Sequence, residues 1–336
     1  MDKKEIAYSI LELAIVSRGY TIKETLNNSL LLAKAAEVNG YKRIWFAEHH
    51  NSESIASSAT SILIGYIAEN THKIRVGSGG IMLPNHSPLI IAEQFGTLAH
   101  LYPNRIDLGL GRAPGTDQVT AQAIRSDFIK ASQFFPEEVA QIQKYFMLEN
   151  KNSRVRATVA EGTRVLFYIL GSSTDSAHLA AKIGLPYAFA SHFATNYLHE
   201  GLKIYKDEFQ ASNILSHPYT MAGINVYIAD SDEEAEKLFT SLIRMFIGVL
   251  TGMREPLHPP TEMTEELKEI LKHPTVEQML RYSFVGSKIT VKKKIRTFLA
   301  ETGVDELIAV SSMYEINARI KSAILFAEIM NEINEE

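Results

Sequence analysis

Short β-rich runs alternate with amphipathic helical segments eight times along the chain, and this alternation limits the fold more than any other feature. The first strand is predicted over residues 7–16. Thr21-Ile22-Lys23-Glu24 then has the Thr-x-x-Glu spacing of a capping box, in which hydroxyl and carboxylate satisfy free backbone donors at a helix start. Leu26, Leu30, Ala33 and Ala36 follow near helical spacing, and Asn39-Gly40 stops the helix. Later strands are predicted at 43–50, within 73–83, and at 105–111, 164–170, 187–191, 221–229 and 306–311. Helices are predicted at 59–69, 89–101, 176–183, 197–209, 233–247, 291–299 and 316–330. Strands interleaved with helices run parallel and are joined by right-handed crossovers. Eight repeats favour closure into an α/β (β/α)8 barrel over an open doubly wound sheet, with residues 1–336 forming a single domain.

Two stretches break the rhythm. Residues 113–163, after strand four, carry a helical segment at 137–147 and a polar run at 149–154. Residues 251–283, after strand seven, contain Pro256, Pro259, Pro260 and Pro274. Both exceed an ordinary connection, and such excursions serve as lids or binding loops. The second is read as the lid.

Composition excludes several function classes. The chain has no cysteine, so disulfides, thiolate metal sites and a cysteine nucleophile are ruled out. A formal charge of −5 with no concentrated basic run argues against nucleic acid as a partner. Met1-Asp2-Lys3-Lys4-Glu5 lacks an apolar signal core, and the apolar segments are too short or too interrupted to span a membrane. A cytoplasmic protein is expected.

In a parallel barrel the chemistry sits at the C-terminal ends of the strands. Strand two ends in Glu48-His49-His50-Asn51, strand three in Gly77-Ser78-Gly79-Gly80 and strand four in Gly109-Leu110-Gly111-Arg112. Strand five ends in Gly171-Ser172-Ser173, followed by Thr174-Asp175-Ser176, and strand six ends in Ser191-His192. Neighbours on a strand face opposite ways, so one of His49 and His50 points inward at most. This disfavours a dinuclear metal hydrolase, which would use His-x-His, and suits one imidazole acting as base or hydrogen-bond partner. Two ordinary buried histidines are the alternative.

Gly79-Gly80 permits a flat ligand to approach bare backbone, or marks a simple bulge. Gly109-Leu110-Gly111-Arg112 fails the dinucleotide fingerprint, because Pro114 holds the third glycine position. It reads instead as an arginine for phosphate, or as a surface ion pair. Ser172, Ser173 and Ser176 lie where a helix begins, which is an anion site or plain capping. A flat slot, a cationic anchor and a helix N-terminus at one barrel end together describe a mononucleotide flavin.

At these residues the chain resembles the bacterial luciferase-like flavin monooxygenase family, nearly from end to end. The densest runs are Trp45-Phe46-Ala47-Glu48-His49-His50-Asn51, Arg75-Val76-Gly77-Ser78-Gly79-Gly80-Ile81-Met82-Leu83-Pro84-Asn85-His86 and Arg105-Ile106-Asp107-Leu108-Gly109-Leu110-Gly111-Arg112-Ala113-Pro114-Gly115. Leu170-Gly171-Ser172-Ser173 and Pro186-Tyr187-Ala188-Phe189-Ala190-Ser191-His192-Phe193 are similar too. The resemblance implies a TIM barrel that dimerises and binds reduced FMN at its strand ends. His49 then matches the catalytic histidine, with His50 its functional neighbour. Gly79-Gly80 matches a cis peptide beneath the flavin ring, Arg112 the phosphate-binding arginine, and Ser172, Ser173 and Ser176 the phosphate loop.

The chain departs from the family at Gly111, where luciferase has cysteine, and at Ser172, where luciferase has an acidic residue. It also departs at Leu11-Glu12-Leu13-Ala14-Ile15 and Ser52-Glu53-Ser54. These departures bear on the substrate. The implied activity is oxygenation of a small apolar molecule, such as an aldehyde, by reduced FMN and molecular oxygen. A separate reductase would supply the flavin, and no metal takes part. The rival readings are a deazaflavin-dependent reductase, a non-catalytic flavin-binding protein and a metal-dependent barrel hydrolase.

Overall fold

Residues 5–336, those described by the computed structural model, contain one nine-stranded sheet in which every pairing is parallel. The polar opening at residues 1–4 lies outside them. Eight strands form the ring: β1 (Ala7–Glu12), β2 (Arg43–Phe46), β3 (Arg75–Met82), β4 (Ile106–Gly111), β5 (Leu166–Gly171), β6 (Tyr187–Phe189), β7 (Thr220–Ala229) and β9 (Glu306–Val310). The β6–β7 pairing and the β7–β9–β1 run close it. The remaining strand, β8 (Ser283–Ser287), is added outside the ring. It pairs only with the C-terminal half of β7, from Asn225 to Ala229, beyond the short β6. β8 is not among the strands expected from sequence, since five residues ending in Gly286-Ser287 carry little strand signal.

Alternation along each strand divides the core. Ile44 and Phe46 face outward into the shell between strands and helices, and Trp45 and Ala47 face the barrel interior with Leu11, Tyr168 and Ile308. Burial of such side chains contributes ~1.5–3 kcal/mol each.

The shell contains α1 (Ile22–Val38), α2 (Thr60–Glu69), α3 (Pro88–Leu101), α7 (Thr174–Ile183), α8 (Leu198–Glu208), α9 (Asp232–Thr251), α12 (Lys288–Thr302) and α13 (Ile316–Glu335). The capping box of α1 forms as the spacing predicts. Glu24 N donates to Thr21 Oγ1 at 3.2 Å, and Thr21 N donates to Glu24 Oε2 at 2.7 Å. Among the described residues no helix is long and apolar enough to cross a membrane.

Both excursions are structured. The first holds α4 (Gln118–Ile124), α5 (Phe128–Gln133) and α6 (Phe135–Phe146). The second holds α10 (Glu265–Leu271) and α11 (Pro274–Met279), whose Leu267 and Val276 join Phe239, Ile243 and Phe246 of α9 in a core of their own. It is therefore not a free lid over its whole length. The part that reaches the barrel mouth is the stretch around Leu257, whose N–H donates to Val16 O at 2.8 Å and whose carbonyl accepts from Arg18 N at 2.9 Å.

A polar layer fills the opposite end of the barrel. Arg43 Nη1 lies 2.8 Å from Asp107, its Nη2 lies 3.2 Å from Glu306, and Arg75 grips Asp107 at 2.6 Å. Trp45 Nε1 and Tyr219 OH donate to the same two carboxylates, at 3.0 and 2.6 Å. Ser9 also bonds Glu306, and Tyr168 bonds Arg43. Buried charges are tolerated when paired and hydrogen-bonded in this way, and removing one partner of such a pair costs ~3–5 kcal/mol.

Candidate active site

At the mouth, the Gly79–Gly80 peptide is cis, and it coincides with a register shift between β3 and β4 at Gly79/Ile81. A Cβ on Gly79 would lie 2.7 Å from Leu11 Cδ1 and 2.9 Å from Trp45 Cβ. One on Gly80 would lie 2.8 Å from Gly109 O, so neither position has room for a side chain. The result is a strip of bare backbone beside Trp45 that a planar ring could cover.

Next to it, β2 stops at Phe46, short of the 43–50 expected, and three polar residues just beyond it have separate tasks. Glu48 is fully buried. Its carboxylate accepts from His50 Nε2 and Asn85 Nδ2 at 2.9 Å, and from Met82 N at 3.0 Å. His86 Nε2 also donates to it, at 2.9 Å. Burial opposes its charge, yet the two imidazoles and the Asn85 amide outweigh burial and pull the carboxyl down to about 2. Both imidazoles are fixed with a proton on Nε2 because the carboxylate only accepts.

His49 turns the other way. Its Nδ1 lies 3.2 Å from Gly115 O. A carbonyl cannot donate, so this contact fixes the proton on Nδ1 and leaves the lone pair on Nε2. Burial pushes its pKa below the usual histidine range. The Gly115 carbonyl opposes that shift and the nearby Arg254 adds to it.

The ends of β4 and β5 meet on the other side of the glycines. Arg112 Nη2 lies 3.1 Å from Asp175 Oδ2 in the first turn of α7, so Arg112 and the Ser172–Ser176 loop are neighbours. The hydroxyls of Ser172 and Ser173 make no hydrogen bond among the described residues, and the N-cap Ser173 leaves the α7 start without a side-chain cap. Free hydroxyls, uncapped N–H groups and a guanidinium form a fitting cradle for a phosphate. Ser176 is turned inward: its Oγ donates to Ser173 O at 2.7 Å and touches Tyr187 OH at 3.1 Å. It shapes the turn rather than facing the mouth. Gly111 is buried, and a Cβ there would lie 3.0 Å from Met82 Cε, so it serves packing between β3 and β4.

Three features were not assigned from sequence. Asn85 and His86 lie 37 and 38 residues from Glu48, and the β3 end brings them together. His192, at the end of β6, packs its ring on Gly223, and its Nδ1 is buried without a partner. Burial, with His49 second, depresses its pKa to about 3. Arg254 makes no ion pair among the described residues, whereas its neighbour Glu255 bonds Arg18 and His258. The glycine run and the Ser191-His192 strand end were the available signals; a lone arginine in a proline-rich stretch gave none. Among the described residues no group of three His, Cys, Asp or Glu side chains is placed to hold a metal ion.

The fold and the strand order define a (β/α)8-barrel protein. Residues 13–306 match the profile of luciferase-like monooxygenases. The chain is 44% identical over 333 residues to a luciferase-like monooxygenase of Escherichia coli strain K12, covering 99% of both chains. It is 32% identical over 339 residues to the N-acetyl-S-alkylcysteine monooxygenase of Bacillus subtilis strain 168, covering 98% of this chain and 95% of that one. The crystal structure of apo-MsnO8 superposes with a TM-score of 0.89 at 31% identity, over 97% of this chain and 99% of that one. This chain belongs to the luciferase-like monooxygenase family.

More distant structures share the barrel. One is the FMN complex of the oxygenating constituent of 3,6-diketocamphane monooxygenase from Pseudomonas putida, with a TM-score of 0.73, 16% identity, and 96% and 97% coverage. Another is an F420-dependent secondary alcohol dehydrogenase, with a TM-score of 0.69, 14% identity, and 97% and 98% coverage.

Proposed function

We propose that this protein is a monooxygenase that uses reduced FMN and molecular oxygen to oxygenate a small apolar organic substrate, with aldehydes the first class to assay. The observation that carries the reading is the meeting of Arg112, the free Ser172 and Ser173 hydroxyls and the uncapped start of α7 at one end of the bare Gly79–Gly80 strip. That combination fits a flat ring with a phosphate tail. Arg112, Ser172, Ser173 and the α7 N–H groups hold the phosphate, while Gly79 and Gly80 receive the ring against bare backbone.

FMN supplies the electrons that activate oxygen, and the protein supplies position and exclusion of water. His49 presents an acceptor nitrogen at the mouth and is the residue that takes or holds the proton during oxygen transfer. His50, held by Glu48, keeps its orientation beside it. The stretch around Leu257, clipped to the loop after β1, covers one side. The reading takes the protein as a homodimer, with a separate reductase delivering the reduced flavin.

Anaerobic titration with reduced FMN tests the reading. Binding in the micromolar range is expected. Arg112→Ala should weaken FMN about 10–150-fold, the worth of a charge-assisted contact at ~1.5–3 kcal/mol. It should leave riboflavin, which lacks the phosphate, unchanged. Equal loss for both ligands would place Arg112 elsewhere. Preferential uptake of a deazaflavin, with no oxygen consumption, would replace the monooxygenase by a reductase.

A further inference from the structure

His49 and His192 stand on opposite sides of the barrel. They follow β2 and β6, which are four strands apart in a ring of eight. Their hydrogen bonds give them opposite characters. Gly115 O accepts a hydrogen bond from His49 Nδ1–H, so His49 offers a bare Nε2. His192 Nδ1 is buried against Gly223, where a Cβ would lie only 2.5 Å away, and no described residue accepts a hydrogen bond from it there. A buried N–H without an acceptor is costlier and rarer than a buried lone pair without a donor. His192 therefore keeps its proton on Nε2, which makes no hydrogen bond among the described residues.

The residue is held firmly. Asn225 Nδ2 donates to its carbonyl at 2.6 Å, Ser191 Oγ donates to Gly223 O at 2.7 Å, and Thr195 Oγ1 ties the following loop to Gln278 O at 2.8 Å. The Phe193 ring stacks edge-on against His192 at 4.9 Å and is itself exposed.

We propose that His192 binds the substrate: its Nε2–H donates to an oxygen acceptor, a carbonyl above all, on a molecule whose apolar body lies against Phe193. His49 and His192 form a complementary pair, one imidazole accepting and the other donating across the mouth. The ring strip on β3 and the phosphate cradle on β4 and β5 occupy one arc between the two histidines, and the arc of β7, β9 and β1 is left for the second ligand. The assignment to substrate rather than cofactor rests on the flavin reading; the tautomers do not.

The first experiment uses flavin-free, 15N-histidine-labelled protein at pH 7, with the signals assigned through His49→Ala and His192→Ala. His49 should carry its proton on Nδ1 and His192 on Nε2. A proton on His192 Nδ1 overturns the proposal whether or not FMN binds. Cyclohexanone should then move the His192 Nε2 resonance, while cyclohexane should leave it in place. Movement with both, or with neither, also overturns it. With the FMN-loaded enzyme, His192→Leu should raise KM for a carbonyl substrate such as hexanal about 10–100-fold, with kcat within about 3-fold. His192→Asn, which keeps an N–H donor, should restore KM to within about 3-fold of the parent. A fall in kcat alone, with no rescue by Asn, would reduce His192 to a packing role. Failure of FMN to bind would leave the tautomer result standing and would refute only the flavin reading.

Discussion

Replacing Glu48 by Gln removes one negative charge from the most densely bonded carboxylate at the mouth. The side chain is fully buried and accepts from two imidazoles, an amide and a backbone N–H. Its pKa of about 2, against an ordinary 4.5, corresponds to about 2.5 units, or about 3 kcal/mol at about 1.36 kcal/mol per unit. A glutamine oxygen in the place of Oε1 could still accept from both imidazoles, but the charge is gone and its N–H group then faces the Met82 N–H donor, so a loss of ~3 kcal/mol is expected. Unfolding entropy of ~2.1 cal/mol/K per residue gives about 0.7 kcal/mol/K for 336 residues, so Tm should fall by about 4 °C.

The sign of the pH dependence follows from the direction of the shift. A depressed carboxyl pKa stabilises the fold above about 4.5, and this stability disappears as pH falls through about 2. The gap between parent and Glu48→Gln should therefore narrow from about 3 kcal/mol at pH 7 to about 2 kcal/mol at pH 3.5. Urea midpoints at both pH values, together with thermal unfolding at pH 7, measure it. Equal Tm values within about 1 °C, or a gap that widens in acid, would refute the reasoning.

The Asp175 carboxylate occupies the guanidinium that a phosphate would use, and both groups are exposed, so Asp175→Asn should tighten FMN about 2–5-fold in a fluorescence titration and leave riboflavin unchanged. Weaker FMN binding by that variant would show that the carboxylate serves the ligand. His49 is depressed below the usual histidine range, so the acid limb of kcat/KM, governed by loss of its neutral form, should lie below pH 6.5. Arg254→Gln removes one cause of that depression and should move the limb upward; a downward move, read in the same profile and in His49 15N titration, would contradict the assignment.

Much of the barrel could be read from the sequence because its signals are local. Strand alternation, the Thr21–Glu24 box and the glycine stop of α1 each involve residues within one turn or one strand. Strand ends were less legible. The sequence pattern continues past Glu12, but the Glu12 carboxylate accepts from Ala14 N at 2.6 Å, Ala14 takes a φ of 50°, and β1 stops. The pairing of Arg112 with the α7 start depends on β4 and β5 being neighbours, which the order of a closed parallel barrel supplies. The Glu48 network and the His192 seat needed coordinates. Asn85, His86 and Gly223 have no spacing that links them to β2 or β6, and only the crossing of strand ends makes them partners.

The Arg43, Asp107 and Glu306 layer has a consequence for traffic through the protein. It plugs the floor of the barrel with charged groups that already satisfy one another, so an apolar molecule finds no exit in that direction. Whatever reaches the glycine strip does so from the side where the strands end, past the residues that line that rim, and not through the floor.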